Sequence, residues 1–215
     1  MNRRITRVPN KGESSTMRTL IVPGLGGSGP EHWQSHWEHV DPMATRVQQR
    51  DWDFPVRSQW LKKLAGAVAN APGAILVGHS LGCALIAHLA WEYRDLDIAG
   101  ALLVAPADVE FCEATRLREF APLPLYRLPF RSVVVASSDD PYVAIYRARA
   151  FAVAWGSRFV NIGARGHINV ASGVGPWPAG EMILRELMSE CGPLQACRRP
   201  LRTYPAHDRV QAQKP

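Results

Sequence analysis

The residues Gly78-His79-Ser80-Leu81-Gly82 fit the pattern G-x-S-x-G. An apolar run over 74–79 precedes them, and a helical pattern over 81–93 follows. A serine on so tight a strand-to-helix turn has a crowded backbone, and glycine two residues to either side removes the Cβ that would clash. The turn lifts the Ser80 hydroxyl out at the carboxyl edge of a sheet. It also sets it at a helix N-terminus, where the dipole favours a developing anion. A hydroxyl that is to attack a carbonyl needs a base, and the base needs an acid to orient it. The motif's chain order places that acid and then a histidine in loops after later strands. Run 131–138 ends in Ser138-Asp139-Asp140-Pro141, and run 158–162 is followed by Gly163-Ala164-Arg165-Gly166-His167. His167 therefore fits the base. Asp139 and Asp140 compete for the acid, and Asp140 also reads as a helix N-cap ahead of Pro141.

The other histidines fit less well. Strand alternation turns His79 away from the Ser80 side, His88 reads as packed or at the surface, and His207 falls near the end of the chain. His32, His36 and His39 share one helix face, but no third ligand or carboxylate pattern accompanies them, so no metal and no cofactor is expected. Acyl transfer needs donors for an oxyanion. The N–H of Leu81, next after the serine, supplies one, and the loop Pro23–Pro30 after the first apolar run supplies the other. Leu25 is the nominated donor there, with Gly24 and Gly26 shaping the turn and the approach to substrate. Trp33, Trp177, Phe111 and Phe120 are candidates for an aromatic wall, though large aromatics are more often core.

These groups need a scaffold that brings several strand ends to one edge. Strands are expected at 19–23, 45–50, 74–79, 98–105, 131–138 and 158–162. Helices are expected at 31–40, from Ser58 as N-cap to 71, at 81–93, from Pro141 to 155, and at 181–190. This β-α alternation predicts an α/β doubly wound sheet, six-stranded and mostly parallel, with helices on both faces. Residues 106–129 break the rhythm with four prolines; they are too few for a separate domain.

Composition narrows the function. The 215 residues hold 25 Lys+Arg and 19 Asp+Glu, for a net charge of +6. Residues 1–17 contribute +3 and residues 191–215 contribute +4, which leaves the body, 18–190, at −1. A nucleic-acid-binding domain carries its charge on the folded body, so that partner is not expected. The ends read as disordered flanks of one domain over 18–190, and Met17 reads as an alternative start. The longest uncharged run, Leu64–Trp91, is broken by Pro72-Gly73 and reads as helix, turn and strand rather than a membrane span. No apolar signal core opens the chain, so a cytoplasmic location is expected. Cys83, Cys112, Cys191 and Cys197 have no metal or redox spacing and are expected as free thiols.

Over 18–190 the sequence resembles the small α/β-hydrolase family that includes the bacterial YdeN protein and the retinoblastoma-binding serine hydrolase of animals. The resemblance lies in Val22-Pro23-Gly24-Leu25-Gly26-Gly27-Ser28-Gly29-Pro30-Glu31-His32-Trp33, in Gly78–Gly82 and in Ser138-Asp139-Asp140-Pro141-Tyr142-Val143. It continues in Gly166-His167-Ile168-Asn169 and Gly175-Pro176-Trp177-Pro178-Ala179-Gly180. It implies a three-layer α/β-hydrolase fold without a large cap domain, with Ser80 as nucleophile, Asp140 as acid and His167 as base. The L-x-C-x-E docking pattern for retinoblastoma protein is absent; the nearest stretch is Glu110-Phe111-Cys112-Glu113-Ala114. The expected function is a serine hydrolase (carboxylesterase-like) acting through an acyl-enzyme on a small or medium ester or thioester. The alternatives are an acyltransferase with the same residues, or an interaction module that retains the fold.

Overall fold

The computed structural model describes residues 17–111 and 115–192. Of the expected flanking segments, residues 1–16 and 193–215, with Cys197 and His207, lie outside the described residues, as does Cys112; Met17 and Cys191 are described and pack against the core. Six strands form the sheet: β1 (Thr19–Val22), β2 (Ala44–Arg46), β3 (Ala74–His79), β4 (Ile98–Val104), β5 (Arg131–Ala136) and β6 (Arg158–Asn161). Their order is β2-β1-β3-β4-β5-β6, and every pairing is parallel. Five helices connect or flank them: α1 (Trp33–Val40), α2 (Arg57–Ala69), α3 (Leu81–Glu92), α4 (Ile145–Trp155) and α5 (Pro178–Cys191). This is the three-layer α/β-hydrolase architecture, with an all-parallel sheet and no large cap.

Alternation along each strand builds two cores. Leu20, Val22, Leu76, Leu103 and Val134 face α2, α3 and α4, where Leu64, Leu85 and Phe151 pack. Ile21, Ile75, Val77, Leu102 and Val133 face α1 and α5, where Trp33, Trp37, Leu184 and Leu187 pack. Strands buried on both faces have no polar side to show, which is why they read as continuous apolar runs. The chain steps one way from β1 to β2 and the other way from β3 onward. Right-handed crossovers then put α1 on the face opposite α2, α3 and α4. The loops after β1 and β3 leave in opposite directions and open a crevice at the carboxyl ends of the strands.

Several boundaries differ from expectation for local reasons. Pro141 does not begin α4: the chain turns through Tyr142 and Val143, and the helix starts at Ile145 behind an extended Ala144. Ser58 does not cap α2, which begins one residue earlier behind Val56. The helix expected from 181 begins at Pro178, whose missing N–H costs nothing at a first helical position. Within 106–129 a short 3-10 segment, Thr115–Phe120, buries Leu117 and Phe120 against the first core. Among the described residues no helix is long and apolar enough to cross a membrane, and Cys83 and Cys191 are free.

Among the described glycines, the tightest approach to another segment's backbone is that of Gly82 in α3 to β1. A Cβ on Gly82 would lie 2.1 Å from the Val22 carbonyl oxygen, whereas one on Gly66, inside α2, would meet nothing within 4 Å. Gly82→Ala should therefore cost about 2–3 kcal/mol, lowering Tm by roughly 5–10 °C. Gly66→Ala should leave Tm unchanged or raise it slightly. Thermal melts of the two variants side by side check both.

Candidate active site

Ser80 lies between β3 and α3 with φ 53° and ψ −119°, a left-handed conformation that costs a non-glycine residue on the order of 1–3 kcal/mol. The surroundings hold it there. The Ser80 N–H donates to the Val104 carbonyl (3.0 Å), and the Ser80 carbonyl accepts from Cys83 N–H (3.0 Å) and Ala107 N–H (3.3 Å). Gly78 packs closely against the start of α3: a Cβ there would come 3.1 Å from the Cys83 backbone nitrogen and 2.8 Å from Ile86 Cδ1. Gly24 is needed for the same reason from the facing loop, where a Cβ would lie 2.9 Å from the Ser80 Cβ.

Of the two competing aspartates, Asp140 meets the histidine. His167 Nδ1 lies 2.8 Å from Asp140 Oδ2 and 3.0 Å from Oδ1, and the Asp140 side chain is fully buried. A carboxylate only accepts, so the proton of this bond sits on Nδ1 and leaves Nε2 of a neutral ring as an acceptor. Asp140 Oδ1 also takes the Tyr142 N–H (2.9 Å), so the carboxylate caps its own turn rather than α4. Asp139 is exposed and points elsewhere. It accepts from Ser137 Oγ (2.7 Å) and Gly166 N–H (2.8 Å), tying the loop after β5 to the loop after β6. Those hydrogen bonds hold its carboxyl below the usual range.

Ser80 and His167 line one cavity of about 420 Å³, together with Leu25, Gly26, Leu81 and Tyr142. Leu81 is the first residue of α3 and Leu25 opens a 3-10 turn, Leu25–Gly27, so neither N–H has an acceptor within its own helix. Gly26 has φ 75°, which glycine adopts without strain. Arg46 fixes this glycine-rich loop. Its guanidinium donates to the carbonyls of Gly27 and Ser28 (2.9 Å to the latter), to Ser35 Oγ (2.6 Å), and to Glu38 Oε2 (2.8 Å).

The aromatic wall is a correction. Trp33 is fully buried and Trp177 packs on Trp33 and Trp37 in the second core; neither ring borders the cavity. Trp33 sends its Nε1–H to the Ile168 carbonyl (2.8 Å), and Gly180 leaves the space that Trp177 fills. Phe120 is core, and Phe111 is exposed beside Arg147. The ring that does border the cavity is Tyr142, edge-on to His167 at 4.6 Å. His32, Asp108 and Arg116 also line it; spacing in the sequence marks neither Asp108 nor Arg116, and marks His32 only as one of three histidines on a helix face. Asp108 is paired with Arg147 through two hydrogen bonds, 2.7 and 2.9 Å.

Three further histidines are buried and held neutral. His79 has its ring 4.9 Å from that of His167, and burial pushes its basicity well below the usual range. His32 caps α1 by accepting the Gln34 N–H; burial first, then Arg46, His167 and His36, lowers its pKa to about 4. His88, lowered chiefly by burial, bonds the Phe120 carbonyl at 2.9 Å.

A histidine on an elbow's companion loop, bonded to a buried aspartate and sharing a cavity with the elbow serine, defines the α/β-hydrolase class. A family model described as serine hydrolase matches residues 19–186, and the chain belongs to that family. A structure described as a YdeN-like hydrolase from Pectobacterium atrosepticum is 34% identical, covers 84% of this chain and 95% of its own, and superposes with a TM-score of 0.75. The ydeN gene product of B. subtilis is 21% identical over 81% of this chain and 100% of its own, with a TM-score of 0.68. A thermophilic esterase from Thermogutta terrifontis, at 16% identity, 82% and 90% coverage and a TM-score of 0.61, shares the fold. A comparison with curated proteins finds no match. The protein is an enzyme of the serine hydrolase type.

The buried histidines set the acid stability. Their folded-state pKa values lie below the unfolded value near 6.5, so the unfolded chain binds more protons as pH falls through that value. Stability should therefore be greatest above about pH 6.5 and should decline toward pH 4, with the His32 shift corresponding to on the order of 3 kcal/mol across that window. Thermal melts at pH 7.5, 6 and 5 should show the decline, and His88→Gln should make it shallower.

Proposed function

We propose that the enzyme cleaves small or medium ester-type substrates, carboxylic esters or thioesters, through an acyl-enzyme on Ser80. The observation that supports this best is the bond from buried Asp140 to Nδ1 of His167, a residue that lines the same cavity as Ser80. His167 Nε2 takes the Ser80 proton as the hydroxyl oxygen attacks the carbonyl carbon, and Asp140 stabilises the imidazolium that forms. The Leu81 and Leu25 N–H groups receive the oxyanion of the tetrahedral intermediate. The intermediate collapses as His167 returns the proton to the leaving group. Water, deprotonated by His167, then attacks the acyl carbon and frees Ser80. The cavity volume, near the lower end of the range for small-molecule sites, and the shortness of 106–129 favour compact acyl groups over long chains.

A fluorophosphonate probe should label the wild type and leave Ser80→Ala unlabelled. His167→Ala and Asp140→Asn should each lower kcat on a short p-nitrophenyl ester by about three to four orders of magnitude. A wild type that resists the probe, or labelling that survives Ser80→Ala, would overturn the assignment. A panel of p-nitrophenyl esters from acetate to dodecanoate should show kcat/KM highest at the short end.

A further inference from the structure

The turn that bears His167 is strained and has no sheet hydrogen bonds of its own. The residue after it, Ile168, has φ 50°, a value that a β-branched side chain rarely adopts, yet it is fully buried in the second core. Such a conformation persists only where the surroundings over-determine it. Two long-range contacts do so, and both act on consecutive carbonyls. His79 Nε2 lies 3.0 Å from the His167 carbonyl oxygen, which can only accept, so the ring donates. Trp33 Nε1–H donates to the Ile168 carbonyl at 2.8 Å. Both donors are buried, and a buried carbonyl that lost its partner would be left unsatisfied. From the other side Ser172 Oγ accepts the His167 N–H at 2.9 Å.

The origin of these donors matters. His79 immediately precedes Ser80 in the elbow, and Trp33 opens α1 just beyond the glycine-rich loop. The loop of the base is therefore referenced to the two segments that bear the nucleophile and the nominated Leu25 donor, across sequence separations of 88 and 135 residues. The ring contact between His79 and His167 reinforces this.

We infer that His79 and Trp33 are positioning residues, whose ring N–H groups clamp the His167 and Ile168 carbonyls and hold the left-handed turn that aims the base at Ser80. The role rests on the acyl-enzyme reading given above. It separates from a merely structural one because the clamp bears on the chemical step. Loss of either donor displaces His167, and a displacement near 1 Å costs about 100-fold in rate while substrate binding is retained.

The test compares His79→Leu, His79→Gln and Trp33→Phe with the wild type, after circular dichroism and thermal melts have established the folded fraction of each. On p-nitrophenyl acetate, His79→Leu and Trp33→Phe should lose about 30- to 100-fold in kcat with KM within about threefold of the wild type. Fluorophosphonate labelling should slow in parallel. His79→Gln, whose side-chain amide can donate to the same carbonyl, should recover most of the loss. The double variant His79→Leu/Trp33→Phe should lose less than the product of the two singles, since both act through one turn. Should His79→Leu fail to fold, the kcat-to-KM split of Trp33→Phe decides. Folded variants with wild-type kcat, losses confined to KM, or a His79→Gln no better than His79→Leu would overturn the clamp alone. A wild type inert to both substrate and probe would overturn the acyl-enzyme reading and the positioning role with it.

Discussion

Six strands that all run the same way must all end at the same edge, and every other property of the site follows from that constraint. The loops after β1, β3, β5 and β6 bring the glycine-rich turn, Ser80, Asp140 and His167 together although they are far apart in the chain. The loops after β1 and β3 lead to opposite faces of the sheet and open the crevice in which they meet. The requirement at this point is close packing of backbone on backbone: α3 can follow β3 so sharply only because Gly82 lies against the Val22 carbonyl without a side chain.

The site also shows how charge is managed at the boundary of an apolar core. The one buried carboxylate beside His167, Asp140, is met by that ring and by the Tyr142 N–H. Asp108, which does line the cavity, is held by Arg147, which also reaches Glu110. His32 and His79, packed behind His167, are kept neutral by burial, so neither adds a positive charge beside its ring.

Much of this was legible in the sequence because each feature has a short-range signature. The elbow glycines and the apolar runs are local patterns, and the loops that bear Ser80, Asp140 and His167 are each marked by the strand run that precedes them. The boundaries at 141 and 58 were missed because the proline and serine signals were locally sound but were outweighed, in the first case by the turn that Asp140 makes with Tyr142. The choice between Asp139 and Asp140 depends on which carboxylate faces the core, and two adjacent residues carry no periodicity to settle it. Trp33 and Trp177 were misplaced for a similar reason. Residue type alone does not distinguish a ring facing a cavity from one whose N–H is committed to a carbonyl 135 residues away. Nothing in the sequence places His32 and Tyr142 on the cavity wall, since that position is a product of tertiary packing.

The Arg46 network has a consequence for the timing of order in this molecule. A loop with the sequence Gly24-Leu25-Gly26-Gly27-Ser28-Gly29 has more backbone freedom than almost any other six residues could have. One guanidinium, from the strand next to β1, removes that freedom by holding the carbonyls of Gly27 and Ser28 and the Ser35 hydroxyl at once. The conformational entropy of the loop is therefore lost once, when the chain folds, and not again with each substrate molecule that arrives. Flexibility in the amino-acid sequence and rigidity in the folded enzyme are here two properties of the same six residues, separated by a single cation.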